Sequence, residues 1–144
     1  MLDALKGQTL VTAESCTGGG IGAALTAIPG SSEVYKGGVI CYTDWVKHNI
    51  LNVDQALLDR YGAVSAPVAE AMAIGARKLL QADVALSVTG LAGPGTDAFG
   101  NPVGTVYIGL SREAGTFIRE FHFDGDRENI RIRAITAALN MILE

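Results

Sequence analysis

Apolar positions recur along the chain with two different periods, and the difference separates predicted strands from predicted helices. Runs rich in apolar and β-branched residues predict five strands, at 8–13, 37–42, 83–89, 104–110 and 116–123. The run at 83–89 is mostly apolar, which is typical of a strand covered on both faces. The last two runs are joined by the short polar link 111–115, which predicts an antiparallel hairpin.

Four other segments repeat their apolar positions at helical spacing. They predict helices at 17–28, 54–61, 66–81 and 127–143. Three of these helices have a polar residue suited to the N-cap position, namely Asp54, Ser65 and Asp126. Helices alternate with strands early in the chain and a hairpin follows later. This order predicts an α/β fold, a three-layer α/β/α sandwich around a mixed β-sheet.

Length and composition limit the kind of protein this is. A chain of 144 residues with 49% apolar and 18% charged residues predicts one ordered globular domain over residues 1–144. The net charge of −4 disfavours a nucleic acid partner. No apolar run approaches the roughly 20 residues that cross a bilayer, and the first residues do not resemble a signal peptide. We therefore expect a cytoplasmic protein with no membrane partner.

Cysteine and histidine are too few and too scattered for a metal centre. Two cysteines stand at 16 and 41 and two histidines at 48 and 122, without the spacing of metal ligands. In a cytoplasmic protein these cysteines are expected to be reduced thiols rather than a disulfide. We expect no metal in this protein.

The segment 12–20, with sequence TAESCTGGG, joins the first predicted strand to the first predicted helix. It places Ser15 and the backbone N–H groups of Thr17, Gly18 and Gly19 near a helix N-terminus, where developing negative charge is favoured. Such a turn can stabilise an oxyanion or hold a phosphate. Two alternatives stay open: Ser15 serves only as a helix cap, or the neighbouring Cys16 is the nucleophile.

A serine nucleophile needs a base, because its hydroxyl is unreactive at neutral pH. His48 lies in a polar turn and His122 lies within a strand, and neither position indicates catalysis. Lys47 comes five residues after Tyr42, near the end of a predicted buried strand. Partial desolvation would lower the pKa of this amine and let it accept a proton. The alternative is an ordinary solvated lysine on a helix.

Two further glycine-rich turns, at 89–95 and 124–127, complete a candidate pocket. Loops that leave the carboxyl ends of sheet strands line the ligand crevice in open α/β folds. We therefore expect Thr89, Gly90 and Gly93, which follow a predicted strand, to line the pocket. Arg127 opens the last helix, a position suited to a phosphate or a carboxylate, although an ordinary surface arginine would look the same. Together these signals predict a pocket for a small anionic ligand such as a nucleotide.

Several of these motifs occur together and in a fixed order. The stretches 12–19, 29–32, 62–65, 89–94, 102–106 and 125–127, together with Tyr42 and Lys47, resemble the CinA C-terminal domain family. Members of that family include nicotinamide-nucleotide amidohydrolases. The resemblance spans nearly the whole chain.

The resemblance implies an activity and a set of site residues. The reaction is hydrolysis of the carboxamide of nicotinamide mononucleotide (NMN) to nicotinic acid mononucleotide and ammonia, a step of pyridine nucleotide recycling. By position Ser15 is the nucleophile, and Lys47 with Tyr42 handles the proton. Arg127 and the loops 17–19 and 89–93 line the site. No metal or organic cofactor is implied.

A second function stays open beside the first. The domain could instead be a catalytically silent nucleotide-binding or interaction module of the competence-damage-inducible type, since glycine-rich turns and Arg127 suit binding equally well. Release of ammonia from NMN discriminates the two. The apolar content and the helix ends at Leu79–Leu80 and Ile142–Leu143 also suggest a homodimer.

Overall fold

Five strands form a single mixed sheet in the computed structural model, which describes residues 2–143. The strands are β1 (Leu10–Glu14), β2 (Tyr35–Ile40), β3 (Val84–Gly90), β4 (Thr105–Arg112) and β5 (Gly115–His122). Their order across the sheet is β2-β1-β3-β4-β5. β1 pairs in parallel with both β2 and β3, whereas β4 is antiparallel to β3 and to β5. The two end residues of the predicted domain, 1 and 144, lie outside the described residues.

Five α-helices accompany the sheet among the described residues. They are α1 (Gly20–Thr26), α2 (Asp44–Asn49), α3 (Gln55–Tyr61), α4 (Ala66–Leu79) and α5 (Arg127–Met141). Two short 3-10 helices cover Leu2–Leu5 and Ser31–Glu33. Within residues 2–143 no helix has both the length and the apolar character that a bilayer crossing requires.

The two faces of the sheet each carry a hydrophobic core. On one face Leu10 and Leu86 pack with residues of α1 and α5 such as Ile21 and Ile130. On the other face Val11 packs with residues of α3 and α4 such as Leu58 and Met72. Neighbouring residues of a strand point to opposite faces, so Leu10 and Val11 enter different cores. The predicted three-layer α/β/α sandwich is confirmed.

The predicted helix starts are confirmed where a polar side chain caps the backbone. Asp54 accepts a hydrogen bond from the N–H of Ala56 at 3.0 Å, and Asp126 accepts one from Asn129 at 2.9 Å. The Ser65 hydroxyl accepts from the N–H of Val68 at 3.4 Å. Each cap satisfies one of the N–H groups that a helix start leaves without an intrahelical partner.

Several boundaries differ from the prediction for local backbone reasons. α1 begins at Gly20 rather than at residue 17, because Gly18 and Gly19 have φ angles of +58° and +99° and cannot continue a right-handed helix. α4 ends at Leu79 rather than at residue 81, and Gln81 has a φ angle of +52°. The hairpin strands run into the predicted link, since Arg112 pairs with Gly115.

β2 is shifted towards the N-terminus and is followed by a helix that the pattern did not predict. The strand ends at Ile40 rather than at residue 42, which leaves Cys41 and Tyr42 in a connection outside the sheet. α2 then begins after Thr43, whose hydroxyl accepts from the N–H of Val46 at 3.5 Å. Six residues are too few to show a helical period, so this helix could not be predicted from the pattern of apolar positions.

Candidate active site

A cavity of about 380 Å³ lies at the edge of the sheet where the three parallel strands end. The segments after β1, β2 and β3 meet there, because the carboxyl ends of parallel strands share one edge. The lining includes seven of the predicted site residues: Ser15, Tyr42, Lys47, Thr89, Gly90, Gly93 and Arg127. Leu91, from the predicted loop 89–93, also lines it, whereas Ala63, Val64 and Thr96 line it and were not predicted.

A larger groove of about 600 Å³ runs along the outer face of α4. Ile50, Leu57 and Leu79 lie along it together with Glu70 and Lys78. It brings no hydroxyl or thiol nucleophile next to a base. The smaller cavity is therefore the candidate site on chemical grounds, although it is not the largest opening in the molecule.

Lys47 is buried at the floor of this cavity. α2 places its side chain so that only 1% of it is exposed, and its Nζ lies 3.0 Å from Ser15 Oγ. Burial lowers the pKa of Lys47 below its usual 10.5, because the ammonium loses its hydration. Lys47 is thus a desolvated amine beside the serine hydroxyl, and not a solvated helix lysine.

Two main-chain carbonyls complete the surroundings of the amine. Lys47 Nζ donates to the Cys41 oxygen at 2.7 Å and to the Tyr42 oxygen at 3.3 Å. A neutral amine has two N–H donors for these carbonyls and one lone pair for the Ser15 hydroxyl. The ammonium has three donors for the same three oxygens. Both protonation states are therefore satisfied, so a proton can pass from Ser15 to Lys47 without leaving a buried group unpaired.

The N-terminus of α1 is occupied by a side chain of the protein itself. The buried carboxylate of Glu14 accepts from the N–H groups of Ile21 at 2.7 Å and Gly22 at 3.0 Å. It also accepts from the Thr17 hydroxyl at 2.8 Å. This helix start is thus unavailable to a substrate anion, and the sequence interpretation overlooked Glu14 although it directly precedes Ser15.

The glycine-rich turn that follows Ser15 contributes less to the cavity than expected. Among the described residues that line the cavity, Thr17, Gly18 and Gly19 are absent. The Thr17 side chain is fully buried against Glu14, and the N–H of Gly18 donates to the Ser15 carbonyl at 3.1 Å. Gly19 borders a separate groove beside β2. The structure therefore places Ser15 and Cys16 at the cavity but not these three residues.

Arg127 connects two loops across the mouth of the cavity. Its guanidinium donates to the Gly93 carbonyl at 2.7 Å and to the Tyr42 hydroxyl at 3.3 Å. The Tyr42 side chain is 58% exposed, and it is the main-chain oxygen of Tyr42, rather than its phenol, that contacts Lys47. The structure therefore brings Tyr42 to the site but places its hydroxyl at the Arg127 end.

Thr89 and Gly90 shape the wall formed after β3. The Thr89 hydroxyl donates to the Ala63 carbonyl at 2.9 Å and so ties the segment before α4 to the sheet. A Cβ on Gly90 would lie 2.9 Å from the Thr105 carbonyl and 2.7 Å from a methyl group of Val106, so only glycine lets the backbone approach β4 this closely.

The alternative nucleophile and the alternative bases are less well placed. Burial raises the pKa of the Cys16 thiol to about 11, so the thiol is protonated at neutral pH and is a poor nucleophile. The His48 ring is 2.7 Å from the Val53 carbonyl, and the His122 ring pairs with Glu120 on β5. Within residues 2–143 no cluster of three or more His, Cys, Asp or Glu side chains is arranged to hold a metal ion.

Arg131 is a further residue that the sequence interpretation missed. Its guanidinium donates to the carbonyls of Cys16 at 3.0 Å and Thr17 at 3.2 Å. The available signal was its spacing from Arg127, because residues four apart lie on the same side of a helix. The carbonyls of Cys41 and Tyr42 could not have been found this way, since main-chain groups leave no mark on residue identity.

Comparison with known proteins places the chain in a family. The sequence profile of the CinA C-terminal domain matches residues 2–144. The chain belongs to this family. A CinA-like protein of Geobacter metallireducens is 52% identical over 132 residues, which cover 91% of this chain and 32% of the relative. A putative competence-damage inducible protein of Desulforamulus reducens is 50% identical over 135 residues, covering 94% and 33% respectively. The chain thus spans about a third of the length of these relatives.

Solved structures of the same superfamily share the fold. A competence-damaged protein (CinA) superfamily protein from Escherichia coli superposes with a TM-score of 0.92 at 40% identity, over 94% of this chain and 79% of that one. A competence or damage-inducible protein from Enterobacter asburiae gives a TM-score of 0.96 at 34% identity, over 99% and 91%. The sheet and its helical layers are therefore common to these proteins.

Proposed function

We propose that this chain is an amidohydrolase that converts NMN and water into nicotinic acid mononucleotide and ammonia. The observation that carries the proposal is the buried amine of Lys47, which lies 3.0 Å from Ser15 Oγ in a cavity of about 380 Å³. A serine hydroxyl beside a desolvated lysine is activated as a nucleophile, and a carbonyl carbon is the kind of substrate atom that it attacks. Membership of the CinA C-terminal domain family supports the same reaction.

The first chemical step is attack on the carboxamide. Neutral Lys47 takes the proton of the Ser15 hydroxyl while the serine oxygen forms a bond to the carboxamide carbon of NMN. The carbonyl oxygen becomes an oxyanion, which the main-chain N–H of Cys16, at the cavity, stabilises. One well-placed donor of this kind contributes on the order of 3 kcal/mol to the transition state.

Collapse of the tetrahedral intermediate breaks the carbon–nitrogen bond. The ammonium of Lys47 returns its proton to the leaving nitrogen, and ammonia departs from an ester on Ser15. A water molecule then attacks the ester while Lys47 again acts as base. The carboxylate product and the Ser15 hydroxyl are restored. The Cys41 and Tyr42 carbonyls hold Lys47 in the same place through both half-reactions.

The phosphate of NMN is assigned to the Arg127 end of the cavity. The guanidinium is fixed there by the Gly93 carbonyl and the Tyr42 hydroxyl, and it keeps further N–H donors for an anion. The N-terminus of α1 cannot take this role, because the carboxylate of Glu14 already occupies it. The pyridine ring and its carboxamide then extend towards Ser15.

The test measures ammonia release from NMN by the full chain and its variants. Ser15→Ala and Lys47→Met are expected to lower kcat by about a thousandfold or more, since removal of one member of a nucleophile–base pair disables the pair. Lys78→Met, which removes an exposed lysine on α4, is the matched control and keeps full activity. Cys16→Ala keeps most of the activity.

Each outcome has a defined meaning. Undiminished turnover in Ser15→Ala or Lys47→Met would defeat the mechanism, and a loss in Cys16→Ala as large as that in Ser15→Ala would make the cysteine the nucleophile. A thermal shift on addition of NMN without release of ammonia would favour the silent binding module. Nicotinamide and glutamine, assayed in parallel, define which amides the cavity accepts.

A further inference from the structure

Arg131 lies on α5, outside the cavity lining, and reaches the turn that follows Ser15 from behind. Its Nε donates to the Cys16 carbonyl at 3.0 Å, and a terminal nitrogen donates to the Thr17 carbonyl at 3.2 Å. The two contacts join residues that are more than 110 positions apart in the chain. The guanidinium thus fixes two successive peptide groups immediately after the candidate nucleophile.

Fixing a carbonyl also fixes the N–H group of the same peptide. In a trans peptide the two groups point in opposite directions, so a Thr17 carbonyl held by Arg131 sets the direction of the N–H of Gly18. The N–H of Gly18 in turn binds the Ser15 carbonyl at 3.1 Å and thereby sets the direction of the N–H of Cys16. Both peptides at the start of the turn therefore have a defined orientation.

The N–H group of Cys16 has no oxygen acceptor among residues 2–143. Cys16 is buried, yet it lines the cavity beside Ser15. Buried main-chain donors are nearly always paired, so this exception next to the proposed nucleophile indicates a donor kept for a reacting group. The N–H of Thr17 does not share this role, because Thr17 is fully buried and lies outside the cavity lining.

We propose that Arg131 is a positioning residue for the oxyanion: it holds the turn after Ser15 so that the N–H group of Cys16 receives the negative charge of the tetrahedral intermediate. The inference rests on the proposed function only in that Ser15 is the nucleophile. Arg131 itself touches neither the substrate nor Lys47. Its planar fork is needed because two carbonyls must be held at once, which a lysine ammonium cannot do with the same geometry.

The test uses a reagent that reports on Ser15 without depending on NMN. In a fluorophosphonate the serine oxygen bonds to phosphorus, fluoride leaves and the proton passes to Lys47, while the P–O group takes the place of the oxyanion. Arg131→Met keeps the aliphatic stem but removes both donors. We expect labelling of Ser15 to slow by roughly 10- to 100-fold in this variant, a smaller loss than deletion of a donor itself.

Four further measurements separate a positioning role from a general loss of folded structure. Arg133→Met, which removes an exposed arginine two residues along α5, is the matched control and labels at the rate of the unaltered chain. Arg131→Lys labels faster than Arg131→Met but more slowly than the unaltered chain. The pH midpoint of labelling is unchanged in Arg131→Met, because Arg131 does not contact Lys47. In the ammonia assay kcat falls while KM for NMN stays within about twofold.

The outcomes distinguish this inference from the proposed function. The unaltered chain could label at Ser15 yet release no ammonia from NMN, while Arg131→Met labels more slowly than the unaltered chain. That result would support the positioning role and reject NMN as substrate. Labelling of Arg131→Met at the unaltered rate would overturn the inference. So would a shifted pH midpoint, or failure of the unaltered chain to label at Ser15, since there would then be no activated serine whose oxyanion needs holding.

Discussion

Lys47 combines two properties that rarely occur together in a lysine, since it is almost completely buried and its amine contacts only uncharged oxygens. Ser15 Oγ and the carbonyls of Cys41 and Tyr42 are its hydrogen-bond partners. No carboxylate is among them, and the charge of nearby Asp44 offsets only part of the loss of hydration that favours the neutral amine. The fold therefore favours the neutral, proton-accepting form of Lys47 before any ligand binds.

The lowered pKa of Lys47 predicts the pH dependence of the reaction. Only the neutral amine accepts the Ser15 proton, so kcat/KM is expected to rise with pH through the lowered pKa of Lys47 and then to level off. The midpoint lies below 10.5, the usual value for a lysine. Steady-state rates of ammonia release across the pH range check this expectation. A rate independent of pH, or a midpoint at 10.5 or above, would rule Lys47 out as the base.

The same shift affects folding and provides a control that needs no substrate. Between the lowered pKa and 10.5 the unfolded chain binds a proton at Lys47 that the folded chain does not. The free energy of unfolding of the unaltered chain, relative to Lys47→Met, therefore increases as the pH rises through this window. Cys16 and Cys41 titrate in both chains, so their contributions largely cancel in the difference.

Arg127 and Tyr42 are expected to act on substrate binding rather than on the chemical step. The Tyr42 hydroxyl accepts from Arg127 and lies at the same end of the cavity. Arg127→Ala should raise KM for NMN by about tenfold or more, because a charge-assisted contact to phosphate contributes about 1.5–3 kcal/mol. Tyr42→Phe should raise KM severalfold and leave kcat within about twofold. A large loss of kcat in Tyr42→Phe would instead restore the phenol as a proton relay.

Part of the candidate site could be predicted from residue identity alone. Ser15, Lys47 and Arg127 could be proposed because a hydroxyl, an amine and a guanidinium have recognisable chemistry. The hydrogen-bond partners of Lys47 could not be predicted in the same way, because two of the three are main-chain carbonyls, which any residue supplies. The position of the Tyr42 hydroxyl also had to be observed, since a side chain and its own carbonyl point in different directions.

The junction of β1 and α1 shows how one buried carboxylate organises an element. Glu14 ends the strand, and its side chain caps the helix that starts six residues later. It also accepts from the Thr12 and Thr17 hydroxyls, so both oxygens are fully used. Ser15 stands between the strand and the helix, and both flanks of the nucleophile are consequently rigid.

This arrangement predicts that Glu14→Gln destabilises the protein despite the similar shape of the side chain. An amide NH₂ would replace one of the two acceptor oxygens and face N–H or O–H donors. We expect a loss of about 1–3 kcal/mol in the free energy of unfolding, measured by urea denaturation. Glu33→Gln, at an exposed position, serves as the control. Equal stability of the two variants would show that the carboxylate is not needed.

Helix caps and long apolar runs were the most predictable features at the level of elements. Asp54, Ser65 and Asp126 cap the helices they were expected to cap, because an N-cap depends on local hydrogen bonds alone. The start of α1 and the existence of α2 were not predictable. The first depends on left-handed glycines, and the second is a helix of six residues, too short to show a helical period.

For the molecule as a whole, the order of the strands decides where chemistry can occur. β1 lies between two parallel neighbours, and the segments that follow these three strands supply Ser15, the carbonyls around Lys47 and the opposite wall of the cavity. The alternation of strands and helices was enough to predict three layers around a mixed sheet. It could not predict which strands are adjacent, because pairing depends on contacts between distant parts of the chain.

The expectation of a homodimer belongs to this scale. Leu79 ends α4 and Leu143 lies just beyond α5; they are 50% and 59% exposed, so substitutions at these two positions can test the prediction. Sedimentation velocity should give a mass near twice the 15.0 kDa of the chain. Leu79→Glu or Leu143→Glu should weaken the association, with Lys78→Glu as the control for added negative charge. A mass equal to that of one chain would contradict the prediction.

The reacting pair and the wall that faces it come from separate parts of the chain. Ser15 and Lys47 belong to the first third, whereas the connection between β3 and β4 provides Leu91, Gly93 and Thr96. A chimera could therefore exchange residues 91–103 for those of a relative while leaving the proton transfer intact. If the proposed reaction holds, remodelling this one loop changes which amides are accepted and leaves Ser15 and Lys47 in place.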